Sequence, residues 1–200
     1  MINLLLEGRK IGFCITGSFC TFDIVLPQIK RLKEEGADVI PVFSNAVATM
    51  DTRFTTAADF REKVETITGN KVVDTIVDAE PFGPRIKLDL MIIAPCTGNT
   101  LAKLVYGITD TPVLMAAKAH LRNQRPLLIA ISTNDGLGNN AKNIGYAANI
   151  KNLFMVPFFQ DDHERKPNSL VADMASMLNA SIKAIEKVQI QPIIIEKKGL

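Results

Sequence analysis

Arg9-Lys-Ile-Gly-Phe-Cys-Ile15 runs straight into Thr16-Gly17-Ser18-Phe-Cys-Thr21: a short apolar run breaking into a glycine flanked by hydroxyls. Near-continuous apolar runs are what strands buried on both faces of a parallel sheet require. A glycine among hydroxyls that opens a helix offers N–H groups, O–H groups and the positive end of a helix dipole to an anion. The same cadence recurs downstream, with apolar runs at 37–43, 88–94, 126–131, 153–156 and 193–195 separated by segments of helical period. Alternation of this kind predicts an α/β fold, a three-layer Rossmann-like (flavodoxin-like) parallel sheet flanked by helices, as one domain over 1–200.

The intervening segments carry helix punctuation. Phe22, Val25, Leu26, Ile29 and Leu32 share a face that Gly36 closes. Pro27, with no N–H for the Asp23 carbonyl, predicts a later start or a kink. Ala57, Phe60, Val64 and Ile67 follow a Thr55 or Thr56 cap and stop at Gly69. Helices are also expected over 99–106, after Pro112, and behind Asn168-Ser169, where Leu170, Met174, Met177, Leu178, Ile182 and Ile185 share one face. Pro192 reduces the final run to an edge strand or tail.

Composition removes several function classes. Lys and Arg number 23 against 21 Asp and Glu, a net charge of +2 with no basic run, so no electrostatic nucleic-acid surface is expected. Three cysteines and two histidines give neither a disulfide framework nor zinc spacing, and no metal site is expected. No stretch reaches the ~20 apolar residues of a membrane span. The opening run is too short for a signal peptide, so the expectation is a cytoplasmic protein.

Ligands of doubly wound sheets bind beyond the carboxyl ends of the strands. There the chain places Thr16-Gly17-Ser18, then Ser44-Asn45, then Pro95-Cys96-Thr97-Gly98-Asn99-Thr100, then Ser132-Thr133-Asn134-Asp135-Gly136. Pro95 is expected to stop its strand, Gly98 to allow close backbone approach, and Lys103 to lie one turn past Asn99. Gly12 and Gly17 lack the G-x-G core of a dinucleotide site, and Ser18 stands where a triphosphate loop needs Lys. Hydroxyls and amides converging without a cationic cluster suit one phosphate monoester and a neutral polar ring; helix capping also explains each loop singly.

Thr16-Gly17-Ser18, the stretch Ala94 to Lys103, and Gly107-Ile-Thr-Asp110 resemble the FMN-binding flavoproteins, the family of the peptidyl-cysteine and phosphopantothenoylcysteine decarboxylases and the flavin prenyltransferases. The segments 45–54, 121–126, 131–135, 157–162 and 166–169 are similar to one branch of it, the second component of the dipicolinate synthases. The resemblance implies that Thr16, Gly17, Ser18 and Ser44 hold an FMN phosphate, and that Thr97, Gly98, Asn99, Thr100 and Lys103 hold the phosphate and ribityl region. Ser132, Thr133 and Asn134 would approach the ring or the substrate. It further implies oxidation of a hydroxy-tetrahydrodipicolinate to dipicolinate in the mother cell of a sporulating bacterium. The partner would be the A subunit of such an enzyme, carrying NAD(P), and this chain would form a homo-oligomer.

The decarboxylase members carry Pro-x-Met-Asn-x-x-Met-Trp after the fourth strand; here Ile131-Ser-Thr-Asn134-Asp-Gly-Leu-Gly138 keeps only the Asn. Their catalytic His precedes the third strand, where this chain has Pro81-Phe82-Gly83-Pro84. The alternatives are a self-contained FMN-dependent decarboxylase or prenyltransferase, and a structural subunit with an empty cradle. Catalytic candidates are Asn134, Arg53 and Asp161. Asp161-Asp162 offers paired carboxylates, and Arg53, Arg122 and Arg125 offer bidentate partners for a dicarboxylate. Cys96 has no neighbouring base, and His120 is in register with a helix's packed face.

Overall fold

A computed structural model describes residues 4–196. Its strands are β1 (Lys10–Ile15), β2 (Asp38–Phe43), β3 (Leu90–Cys96), β4 (Leu127–Thr133), β5 (Leu153–Met155), β6 (Phe158–Phe159) and β7 (Leu170–Ala172). Its helices are α1 (Phe22–Glu34), α2 (Asn45–Thr49), α3 (Ala57–Thr68), α4 (Ile76–Ala79), α5 (Gly98–Val105), α6 (Pro112–Leu121), α7 (Ala141–Ala148) and α8 (Met177–Ile185).

The first five strands pair in parallel in the order β2-β1-β3-β4-β5, the doubly wound arrangement. Side chains alternate between faces along each strand. Ile11, Phe13 and Ile15 of β1 pack with Leu90 and Ile92 of β3 under α1, α3 and α8, where Val25, Ile29, Phe60, Val64 and Met177 are buried. Cys14, Met91, Ile93, Ile129 and Ile131 face the other way, under Leu101, Val113, Ala117 and Ala147. Each face of the sheet thus has its own core, and the strand ends are held rigidly between them.

Helix punctuation acts as the sequence predicts at α3: Thr56 Oγ1 accepts from the Asp59 N–H at 3.0 Å, and Gly69 closes the helix at φ +71°. Gly36 follows α1 at φ +89°, where a Cβ would sit 2.9 Å from Glu7 Cα. Of the two outcomes expected at Pro27 the later start is excluded: helix α1 begins at Phe22 and continues through the proline. Two other local expectations are corrected. Strand β3 runs through Pro95 to Cys96: a shift of register between Ile93 and Cys96 takes up the proline, and Cys96 pairs with Ile131 of β4 beyond it. The last helix is shorter than its apolar spacing predicts: Leu170–Ala172 is strand β7, and Met174–Ser176 a single 3-10 turn, before α8 begins.

The reason lies at β4. Strand β5 pairs only with Leu127–Ile129, so the upper edge of β4 has backbone groups still to satisfy. Val171 and Leu170 satisfy them, antiparallel to Ser132 and Thr133, and β6 extends that pairing. Strand β6 and helices α2 and α4 are too short to have announced themselves by periodicity; helix α7 was not expected either. The final run contributes one bridge, Phe158 to Ile194.

His120 is fully buried in α6, and its Nε2–H donates to the Pro126 carbonyl at 2.8 Å. Burial, helped by the positive charge of Arg125, lowers its pKa from 6.5 to about 4. Between those values the unfolded chain takes up a proton that the folded chain refuses, so stability falls as pH drops from 6.5 toward 4. At 1.36 kcal/mol per unit this one group accounts for ~3 kcal/mol. Urea unfolding at stepped pH is expected to show a shallower decline for His120→Gln than for the unaltered chain across that window.

Candidate functional site

Because the chain runs from β1 outward to β2 on one side and to β3 on the other, a crevice opens between the ends of β1 and β3. Thr16 bridges it from below. Its Oγ1 donates to the Pro95 carbonyl at 2.6 Å and accepts from the Thr97 N–H at 3.1 Å. The side chain is buried with both hydrogen-bonding roles taken, so it braces the cradle from beneath the surface that a ligand would touch.

Above it lies a cleft of ≈ 550 Å³ walled by the loops after β1, β3 and β4, by Arg53 and Phe54 beyond β2, and by Asp161, Lys166 and Ser169 from the β6–β7 connection. Gly17, Ser18, Thr97, Gly98, Ser132, Thr133 and Asn134 all line it. The Ser18 and Ser132 hydroxyls are 2.8 Å apart, joining the first loop to the fourth. Thr97 caps α5, its Oγ1 accepting from the Thr100 N–H at 3.3 Å and donating to Thr100 Oγ1 at 3.0 Å.

Other predicted residues are placed differently. Asn99 is exposed and Thr100 buried, both on the first turn of α5 but outside the lining. Lys103 is paired with Asp110 at 2.6 Å and lies outside the lining. Ser44 is buried behind the first loop: its N–H donates to the Ile15 carbonyl, and its Oγ has no hydrogen-bond partner among the described residues. The three-arginine clamp is not assembled, because Arg122 and Arg125 flank the start of β4, at the opposite end of the sheet from Arg53. The carboxylate pair is divided too: Asp161 faces the cleft with Lys166 at 3.8 Å, while Asp162 Oδ1 accepts from the Arg165 N–H. Burial pushes the Cys96 thiol up to about 12, which leaves it inert.

Two charged residues of the lining are absent from the sequence-based set. Lys166 arrives on the β6–β7 connection, whose fold the sequence did not disclose. Asp135 had a readable signal, as the one carboxylate in a strand-end run of hydroxyls and amides. Its Oδ1 accepts from Thr133 Oγ1 at 2.6 Å and from Asn140 Nδ2 at 2.8 Å, and these bonds hold its pKa below the usual carboxylate range. Gly98 makes room for this cluster: a Cβ there would stand 2.5 Å from Asn140 Nδ2 and 2.6 Å from Thr133 Oγ1.

A family model described as Flavoprotein matches residues 3–191. The chain belongs to the flavoprotein family. Among curated flavoprotein relatives, the B subunit of dipicolinate synthase from Bacillus subtilis (strain 168) is 49% identical over 96% of both chains. The crystal structure of the B subunit of dipicolinate synthase from Bacillus halodurans C superposes with a TM-score of 0.89 at 47% identity, covering 96% of this chain and 98% of that one. The FMN-dependent cysteine decarboxylase SpaF shares the fold, with a TM-score of 0.67 at 17% identity over 90% of this chain and 99% of its own. Between α4 and β3, Pro81-Phe82-Gly83-Pro84 forms a turn in which Phe82 is buried and Gly83 lies against the Ala119 carbonyl, with no room for a Cβ.

Gly98→Ala is expected to lower stability by ~1–3 kcal/mol, the usual scale for overpacking. Urea unfolding would measure the loss.

Proposed function

We propose that this chain is the B subunit of a dipicolinate synthase, supplying a flavoprotein cradle to the oxidation of a hydroxy-tetrahydrodipicolinate. The end-to-end similarity to the Bacillus subtilis protein, at 49% identity, carries the reading. The absence of a G-x-G core in the first loop agrees with it, since NAD(P) then belongs to a partner, the A subunit of the same enzyme. A self-contained decarboxylase is not favoured: among the described residues, neither histidine lines the cleft.

The residues present fit FMN. The hydroxyl of Ser44, buried without a hydrogen-bond partner among the described residues, is a donor in want of an acceptor. Ser18, Ser44 and the Gly17 backbone would hold the phosphate. Thr97, Gly98 and Asn99 would present the first turn of α5 to the phosphate and ribityl hydroxyls, while Thr133 and Asn134 would border the ring. When bound, FMN supplies a ring able to accept a hydride. Arg53, one of the three catalytic candidates, would receive a substrate carboxylate, and Asp161 would keep Lys166 turned toward the cleft. The assembly would be a homo-oligomer of this chain together with its NAD(P)-carrying partner.

The test is an absorbance and fluorescence titration of the purified chain with FMN, paired with dipicolinate formation on adding that partner. Saturable flavin quenching is expected, lost in Ser18→Arg together with the activity of the assembled enzyme. No quenching at micromolar FMN, with Ser18→Arg leaving the rate unchanged, would make the cradle vestigial and this reading wrong.

A further inference from the structure

Among the described residues two arginines lie over phenylalanine rings, and they differ in what meets their donors. Arg61 Cζ is 5.6 Å from the centroid of Phe43, and its guanidinium is paired with Asp74. Arg53 Cζ is 4.8 Å from the centroid of Phe54, yet Arg53 enters no salt bridge among the described residues. A cation over an aromatic face is attracted by the ring's quadrupole, and a guanidinium held there keeps the N–H fork that matches a carboxylate. Arg53 and Phe54 both line the cleft, and Phe54 is 48% exposed. The turn that carries them is built by its own neighbours. Thr52 Oγ1 accepts from the Phe54 and Thr55 N–H groups at 3.2 and 3.4 Å, and Thr52 N–H donates to the Thr55 carbonyl at 3.0 Å. Asp51 Oδ1 accepts from the Ala57 N–H at 2.9 Å and ties the turn to the start of α3. The other cation of the lining, Lys166, already has Asp161 at 3.8 Å.

We infer that Phe54 is a positioning residue, holding the Arg53 guanidinium ready for a ligand carboxylate that takes, against Arg53, the part Asp74 takes against Arg61. The inference rests on the dicarboxylate reading above and deepens it by naming what presents the arginine. A long exposed side chain loses rotamer freedom when a ligand fixes it, and a ring that already holds the guanidinium removes part of that cost beforehand. The same contact accounts for a half-exposed phenyl ring in a cleft lined mainly by hydroxyls, amides and charges. Arg53 and Phe54 reach the cleft from beyond β2, whereas Gly17 and Ser18 belong to the loop after β1. Carboxylate and FMN phosphate therefore draw on donors from different segments, and damage to one is separable from damage to the other.

The test is calorimetric titration with pyridine-2,6-dicarboxylate of the whole chain, alone, with saturating FMN, and assembled with the NAD(P)-carrying partner. Arg53→Gln is expected to weaken binding roughly tenfold or more, the scale of hydrogen bonds to a charged group. Phe54→Leu is expected to weaken it about threefold, the scale of an exposed cation–π contact, and Phe54→Tyr, which keeps the ring face, to restore it. Because Phe54 acts through Arg53, adding Phe54→Leu to Arg53→Gln is expected to cost nothing further. FMN affinity, titrated in parallel, is expected to stay unchanged in every variant, which also reports that each is folded. Undiminished binding in Arg53→Gln, a full threefold loss from Phe54→Leu in that background, Phe54→Tyr binding no better than Phe54→Leu, or FMN weakening in step would overturn the inference while leaving a dicarboxylate site in place. Failure of the unaltered chain to bind the dicarboxylate in all three states would overturn the dicarboxylate reading as well.

Discussion

The hydroxyl of Thr16 donates to the Pro95 carbonyl and accepts from the Thr97 amide, and through those two bonds the ends of β1 and β3 are held as one unit. Everything the cleft presents is referred to that brace. The loop after β1 can offer Ser18 across to Ser132 only because its root does not move relative to the start of α5. Cys96, lying between the two groups that Thr16 holds, is itself paired with Ile131, so the brace is continuous with the sheet as far as β4. A buried hydroxyl satisfied in both roles fixes geometry more tightly than apolar packing, because an unmade bond there costs the full desolvation of the group left behind.

Charge is distributed unevenly around that braced floor. The β1–β2 side carries hydroxyls, backbone and Arg53, with a buried Ser44 Oγ that has no hydrogen-bond partner among the described residues. The β4 side carries Asp135 and Asp161, and Lys166 lies against the latter. A phosphate suits the first side and is repelled by the second, so the electrostatics alone orient an elongated ligand that has one anionic end. No helix among the described residues is long and apolar enough to cross a membrane, and polar groups from five separate segments of chain converge on this cleft.

How much of this could be read beforehand depends on whether the signal was local. The strands of the central sheet were legible because burial on both faces forces continuous apolar runs, and α3 because Thr56 and Gly69 punctuate it. The convergence of the loops after β1, β3 and β4 on one cleft was legible because the carboxyl ends of parallel strands converge by topology. What stayed hidden was non-local. The apolar spacing of Leu170, Met174 and Met177 fits a helix, and only the unpaired upper edge of β4 turns the first of them into a strand. Lys103 reads as a cradle residue one turn past Asn99, but Asp110 captures it from beyond the helix end. Asp135 was in plain view, yet its hydrogen bonding depends on Asn140 and, behind it, Asn143, which a strand-end reading does not reach.

Strand β4 divides its two halves between different neighbours, β5 below and β7 above. The lower half belongs to the parallel core, whose packing tolerates little change. The upper half is covered by a short antiparallel ribbon whose connection, residues 160–169, contributes Asp161, Lys166 and Ser169 to the cleft and nothing to either core. Ligand choice and folding are thereby written in separable segments. A lineage can lengthen, shorten or recharge that connection, and so alter what the cleft presents, without renegotiating the packing that keeps the sheet folded.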